Sequence, residues 1–300
     1  MKKLLLSLAV VLAGCGGGGT STTQPTVQVF NSNLKPMDLV LSCVNKSNMQ
    51  QTALYYESIL KVDYSVSNDY YVDNNTWGIQ IPENYSNFIN TNWSECIGTS
   101  YSDKNTLVAR WTWDMGPTSS EAGGIKSYPE IIYGYKPLGF KNTSSYPKLI
   151  GSIKSMQVNW SIEIDKNNSS GDLLLESWIS TTATPIGLKN SNMVAEMAIV
   201  LDCWNSSWCN LTGEKVNIGG YDYIFNINPA PIKDNPLLIT FNSITPQLGK
   251  GGVDLGLFLT FLKSRGLLTD NQYIDDVEYG TEILFGKGEV RLNSYSVTVN

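Results

Sequence analysis

Histidine is absent from the 300 residues of this chain. That absence excludes catalytic triads built on histidine, histidine general bases and metal sites with histidine ligands. Any acid–base chemistry must therefore come from Asp, Glu, Tyr, Lys or Cys side chains. Carboxylates are the natural candidates, because Asp and Glu are common general acids and bases in enzymes.

Charge is scarce as well. Charged residues make up 16% of the chain, against about 25% in an average soluble protein, and the formal net charge is −6. No run of Lys or Arg follows the first residues, so we predict no nucleic-acid partner. Trp, Tyr and Asn are plentiful and favour an uncharged polysaccharide, because rings and amides contact sugar faces and hydroxyls.

Two lysines and an apolar run over residues 4–13 open the chain. The run is too short to cross a bilayer by itself and predicts an export signal over residues 1–15. Its end, Leu-Ala-Gly-Cys at residues 12–15, resembles the lipobox of prokaryotic lipoproteins; the alternative is an ordinary secretory signal. We predict lipidation of Cys15, a flexible Gly, Ser and Thr tether over residues 16–27, and a folded domain over residues 28–300 at the cell surface.

Four further cysteines remain after Cys15, and an even number in an exported chain predicts two disulfides. Three connectivities are possible. We favour Cys203 with Cys209, which closes a short loop, and Cys43 with Cys96. A metal site is the other interpretation of four cysteines, but neither their spacing nor the exported context supports it, and we predict no metal and no cofactor.

Short segments rich in Val, Ile, Tyr, Trp and Thr fill most of the chain and are separated by Asn, Gly, Ser and Pro clusters. They include residues 39–44, 64–72, 107–113, 156–164, 173–179, 215–227 and 290–299. Many such segments without helical patterns between them predict an all-β sandwich, jelly roll or barrel. Leu255, Phe258, Leu259 and Leu262 recur at helical spacing before Gly266, which predicts one amphipathic helix against the sheets.

One acidic residue interrupts the apolar stretch 192–203. If this stretch is a strand, Met197 and its alternate neighbours share one face, and Glu196 lies on the other face with alternate residues up to Asp202. A charge in the middle of such a strand needs water or a partner, because burying it unpaired costs several kcal/mol. A second acid, Glu282, adjoins another strand-like segment. We predict that Glu196 and Glu282 face each other across a sugar-binding cleft.

Four blocks in this order resemble glycoside hydrolase family 12, the small endo-β-1,4-glucanases. The blocks are Tyr-Val-Asp-Asn-Asn-Thr-Trp-Gly at 71–78, Trp-Thr-Trp at 111–113 with Lys-Ser-Tyr-Pro at 126–129, Glu196 with its apolar neighbours, and Gly-Thr-Glu at 280–282 followed by Gly286. The resemblance covers about residues 40–300, and four ordered blocks are more specific than any one of them.

This resemblance implies a concanavalin-like jelly roll of two antiparallel sheets with one packed helix on the convex side. It further implies a retaining endoglucanase that acts as a monomer on β-glucan. Glu196 would be the nucleophile and Glu282 the acid and base, while Glu176 matches at best the acid that holds the nucleophile in the family.

The resemblance also indicates substrate-binding side chains, each with core packing as the alternative. Asn75 would bond a sugar hydroxyl and Trp77 would stack on a glucosyl ring, and Trp113, Tyr128 and Trp178 would line the groove.

Departures from the family pattern affect the subsites. Ala198 and Val200 stand where the family usually has Met and Trp, and Ile283 stands where it commonly has Pro. Small side chains at 198 and 200 raise the hypothesis that a branched glucan fits. The alternatives are a xyloglucan-specific endohydrolase, a transglycosylase, or a sugar-binding lipoprotein without catalytic activity.

Overall fold

The computed structural model describes residues 39, 41–45, 59–60, 70–80, 93–103, 106–116, 124–135, 146–184, 192–206, 209, 212–228 and 236–300. The predicted signal, Cys15 and the tether lie outside these residues, so the predicted domain boundaries stay predictions. No helix in the described ranges has the length and apolar character needed to cross a membrane.

Two sheets form the described part of the chain. The smaller sheet contains the strands β1 (Ser42–Asn45), β4 (Ser94–Asp103), β5 (Thr106–Asp114), β8 (Met156–Asp165), β14 (Gly249–Asp254) and β17 (Lys287–Val299). Their order across the sheet is β1-β4-β5-β17-β8-β14.

The larger sheet contains the strands β2 (Ile59–Leu60), β3 (Tyr70–Asp73), β6 (Glu130–Gly134), β7 (Lys148–Leu149), β9 (Ser170–Ser180), β10 (Met193–Trp204), β11 (Glu214–Ile218), β12 (Tyr221–Asn228), β13 (Leu237–Ser243), β15 (Tyr273–Ile274) and β16 (Asp276–Phe285). Their order is β11-β12-β13-β10-β9-β16-β6-β3-β2, with β15 paired to β9 and β7 paired to β15. Short 3-10 turns cover Trp77–Gln80 and Ile150–Ser152.

Antiparallel pairing dominates both sheets, as predicted for this jelly roll. One described pair, β10 with β13, is parallel, because the β11–β12 hairpin lies between them in the chain. The predicted segment 215–227 is that hairpin rather than a single strand, and Gly219 and Gly220 supply the positive φ angles of its turn.

Alternation of buried and half-buried residues along β5 creates the contact between the sheets. Leu107, Ala109, Trp111 and Trp113 point into the core, and the residues between them do not. The indole N–H of Trp111 donates a 2.8 Å hydrogen bond to the hydroxyl of Thr281 on the larger sheet. A large buried side chain therefore joins the sheets without leaving its polar atom unpaired.

The predicted helix is present as α1 (Leu255–Ser264). Asp254 caps its start by accepting the Gly256 N–H at 2.9 Å, and Gly266, at φ +71°, follows its end. Phe258 packs at 5.3 Å from the ring of Tyr223 and 5.0 Å from that of Phe241. The helix therefore covers the core-facing side of β12 and β13, beyond the edge of the smaller sheet.

Both favoured disulfides are confirmed. Cys43 on β1 is bonded to Cys96 on β4, directly opposite in register. Cys203 near the end of β10 is bonded to Cys209. The other two connectivities are thereby excluded.

Candidate active site

The central strand β9 is buried along its whole length, and its two faces differ in chemistry. Leu173, Leu175 and Ile179 belong to the main core between the sheets. The alternate residues on the other face include Asp172 and Glu176. We call this second side, which turns away from the smaller sheet, the outer face.

Glu196 lies on the outer face of β10, as the period of two predicts. Its neighbours Ala195 and Met197 belong to the main core, and Glu196 itself is partly exposed, directly opposite Trp178 of β9. The predicted alternation ends before Asp202, because a register shift between Val200 and Asp202 places Asp202 opposite a core residue of β9.

Glu282 lies on the outer face of β16, between Thr281 and Ile283, which are both buried. Its position is directly opposite Asp172 of β9, and the two carboxyls are hydrogen-bonded. Burial raises the pKa of Glu282 well above its ordinary value, and repulsion from Asp172 and Glu196 raises it further. Burial and these two charges therefore favour the protonated form of Glu282.

The two predicted catalytic residues thus flank β9 on the same face. Glu196 lies opposite Trp178 and Glu282 opposite Asp172, at the two ends of a seven-residue stretch of β9. Their carboxyls are near enough for the charge of Glu196 to raise the pKa of Glu282. Both are partly exposed, whereas the other acids along this stretch are buried. The arrangement brings one partly exposed carboxylic acid close to a second partly exposed glutamate.

Glu176 lies between these two residues on β9, opposite Ala198 on one side and Glu278 on the other. Burial raises the pKa of Glu176 well above its ordinary value, followed by repulsion from Glu196 and then from Glu278. This environment favours the protonated form of Glu176. Glu176 is therefore near enough to Glu196 for that charge to raise its pKa, and its supporting role stays a prediction.

Tyr128 crosses the outer face above Gly280. A Cβ on Gly280 would lie 2.7 Å from the Tyr128 ring and 2.5 Å from a backbone oxygen, so only glycine fits there. The ring packs with Leu174, Ala198 and Val200 in a small apolar cluster. Tyr128 is only 3% exposed, so it forms part of the floor rather than an open stacking surface.

Asn75 lies just after β3 with a φ of +40°, which asparagine tolerates better than most residues. Its backbone N–H donates to Asp73 at 2.9 Å, and its side-chain amide donates to buried Glu130 at 2.7 Å. The half-buried side chain stays a predicted sugar ligand. Trp77 begins the following 3-10 turn, and its side chain lies outside the described atoms.

Trp113 is not part of the site, so its predicted role in substrate binding is wrong. It lies on β5 of the smaller sheet, is 3% exposed and packs in the main core over Gly288. Its position follows from strand alternation, because Trp113 is two residues after Trp111 and both side chains therefore point to the core. Trp178 does lie on the outer face opposite Glu196, but it is buried, and its role in substrate binding stays a prediction.

Several acids of the outer face were not among the predicted site residues. All are buried: Asp73, Glu130, Asp172, Asp276 and Glu278. Period-two spacing could have identified two of them, because Asp276 and Glu278 are an even number of residues before Glu282 and share its face of the strand. The described residues contain no group of three or more Cys, Asp or Glu side chains arranged to hold a metal ion.

Known proteins resemble this chain in sequence. It is 26% identical over 241 residues to endoglucanase S of Pectobacterium parmentieri, a match that spans 79% of this chain and 84% of that protein. It is 24% identical over 237 residues to a probable xyloglucan-specific endo-β-1,4-glucanase A of Aspergillus fumigatus, with 77% and 86% spanned. No protein-family model matches the chain.

Solved structures share the fold. A family 12 xyloglucanase from Bacillus licheniformis superimposes with a TM-score of 0.64 at 19% identity, over 87% of this chain and 100% of that one. A family 12 endoglucanase 3 from Trichoderma harzianum gives a TM-score of 0.64 at 17% identity, over 89% and 100%. Together, these similarities support a glycoside hydrolase with the jelly-roll fold of family 12.

Proposed function

We propose that the chain is an endo-β-1,4-glucanase that cleaves internal bonds of β-glucans with retention of configuration, acting as a monomer. The observation that carries this proposal is the pair on the outer face. Glu196 and Glu282 flank β9, both are partly exposed, and Glu282 has a raised pKa in the field of Glu196. Glycoside hydrolysis needs one such acid and one such carboxylate on the two sides of the scissile bond.

In the first step, the carboxylic acid of Glu282 gives its proton to the glycosidic oxygen, and the bond from that oxygen to the anomeric carbon breaks. The carboxylate of Glu196 forms a bond to the anomeric carbon and holds the sugar covalently. In the second step, the Glu282 carboxylate takes a proton from water. The water oxygen attacks the anomeric carbon, and Glu196 leaves as a carboxylate.

Glu176 supports the nucleophile in this scheme. Because its raised pKa favours the protonated form, Glu176 contributes a neutral O–H rather than a second negative charge near Glu196. Replacement of Glu176 by Gln keeps the neutral charge and the size. We therefore expect E176Q to lower kcat less than E176A does.

The substrate class follows from the relatives, whose names refer to endoglucanase or xyloglucan-specific endo-β-1,4-glucanase activity. Xyloglucan is therefore the second candidate substrate. The small side chains of Ala198 and Val200 do not favour it, because both belong to a buried cluster with Tyr128 and Leu174 and are at most 9% exposed. Initial rates on xyloglucan and on unbranched mixed-linkage glucan distinguish the two polymers.

The test is release of reducing ends from carboxymethyl cellulose. Wild type should release them, and E196Q and E282Q should each lose about 100-fold or more. Glu163→Gln is the matched control, because Glu163 is an exposed strand residue on the smaller sheet, and it should keep wild-type activity.

Two other outcomes identify the alternatives. Wild type that binds glucan and releases nothing is a sugar-binding protein, and longer products at high oligosaccharide concentration identify a transglycosylase. Activity that survives in E196Q contradicts the assigned nucleophile.

Surface anchoring through Cys15 is part of the proposal and rests on the sequence alone. Expression in a bacterial host with labelled fatty acid should label wild type and not C15S. A labelled C15S variant would contradict the lipobox assignment.

A further inference from the structure

Asp172 and Glu282 form a pair of carboxyls that the proposed two-step reaction does not use as a pair. They lie directly opposite each other on β9 and β16, and their side chains are hydrogen-bonded. Two carboxyls can share a hydrogen bond only if one of them carries a proton. Asp172 is 5% exposed and Glu282 is partly exposed, so Asp172 lies behind the acid that faces the substrate.

Other charged groups surround this pair. Asp202 of β10 lies near Asp172, and Lys166, from the turn before β9, forms an ion pair of 2.5 Å with Asp202. The ammonium of Lys166 also lies 5.0 Å above the ring of Trp204, which holds it in place. The remaining titratable groups that act on Glu282 or interact with it are Glu196, Glu176 and Tyr128.

We propose that Asp172 is a positioning residue for Glu282, and that the pair is productive only when both carboxyls carry protons. This inference rests on the proposed function. With both protons present, the Asp172 O–H donates to one oxygen of Glu282, and the Glu282 O–H is free to meet the glycosidic oxygen. When the pair has lost one proton, the remaining proton lies between the two carboxyls and is held away from the substrate.

The pair therefore sets the upper pH limit of activity. Burial raises the pKa of Asp172 to about 7, with a smaller contribution from Asp202, while the hydrogen bond from Glu282 acts in the opposite direction. In a coupled pair the first proton is lost at or below the pH at which Glu282 alone would lose its own proton. Asp172 thus confines catalysis to a lower pH range than Glu282 would permit by itself.

The test is the pH dependence of kcat/KM on a neutral soluble mixed-linkage β-glucan. In Asp172→Asn the amide N–H still donates to Glu282 but cannot titrate. We therefore expect the basic limb of the kcat/KM profile, where activity falls as the pH rises, to move to higher pH by about one unit or more. A basic limb that stays in place or moves to lower pH overturns the inference.

A second variant gives the opposite prediction. Asp202→Asn removes a negative neighbour of Asp172 and leaves the charge of Lys166 unbalanced. Both changes favour ionised Asp172, so the basic limb should move to lower pH. A limb that moves upward in D202N, or does not move, also contradicts the inference.

Asp275→Asn is the matched control. Asp275 is another buried carboxyl with a raised pKa, but its hydrogen-bond partner is Ser180 and it is not among the groups that raise the pKa of Glu282. The basic limb of the kcat/KM profile of D275N should match that of wild type. Loss of activity in E196Q and E282Q with unshifted limbs in D172N and D202N refutes only this inference, whereas survival of activity in E196Q and E282Q refutes the proposed function.

Discussion

Asp275 allows a quantitative test of how buried acids control the stability of this fold. It is fully buried just before the start of β16, where Ser180 donates a 2.7 Å hydrogen bond to one of its oxygens. Its other oxygen has no hydrogen-bond partner among the described residues. Burial raises its pKa from 3.8 to about 8.

This shift predicts a loss of stability at neutral pH. The folded state binds the Asp275 proton more tightly than the unfolded state does. The contribution of this proton to the free energy of unfolding is therefore complete below about pH 4. It is lost as the pH rises toward 8. Each pH unit in this interval corresponds to about 1.4 kcal/mol. Between pH 3.8 and pH 7 the loss amounts to about 4 kcal/mol, as an order of magnitude.

Asp275→Asn removes this titration and keeps an oxygen to accept the Ser180 hydrogen bond. At pH 4 we expect D275N to unfold within about 1 kcal/mol of wild type. At pH 7 we expect it to be more stable than wild type by several kcal/mol. Urea denaturation followed by tryptophan fluorescence at both pH values gives the two differences. A difference between the proteins that is the same at pH 4 and pH 7 would refute the reasoning.

Two further predictions concern packing. Phe258→Ala empties a site between two core rings and should lower the free energy of unfolding by about 3 to 5 kcal/mol. Leu257→Ala on the same helix, at 44% exposure, should change it by less than about 0.5 kcal/mol, and equal losses in urea denaturation would contradict the assigned helix face. Gly280→Ala brings a Cβ within 2.5 Å of a backbone oxygen and within 2.7 Å of Tyr128, so it should lower both the melting temperature and kcat, and wild-type values for both would contradict the close contact of Tyr128 with the strand.

Local patterns in the sequence predict those features that depend on one strand or one helix at a time. Period-two spacing places Glu196 opposite in orientation to Met197, and helical spacing places Phe258 in the core. The disulfide between Cys203 and Cys209 also follows from their short separation, and it leaves Cys43 and Cys96 as the second pair. These features depend on backbone geometry that each segment carries by itself.

The pattern of one strand does not say which residues of another strand lie beside it. The sequence block around Trp113 predicts that this side chain lines the groove of the larger sheet, although its strand β5 belongs to the smaller sheet. The pairing of Asp172 with Glu282 depends on the register between β9 and β16, which are more than 90 residues apart in sequence. The shift after Val200, which displaces Asp202, is likewise a property of the pairing between strands.

Covalent trapping of the nucleophile tests the catalytic pair most directly. A 2-deoxy-2-fluoro-β-cellobioside with a good leaving group forms the glycosyl-enzyme intermediate, and the electron-poor sugar slows its hydrolysis. Peptide mass spectrometry of the trapped protein should locate the sugar on Glu196. A label on any other residue, or rapid turnover of natural substrate by a protein that the reagent never labels, would contradict the account.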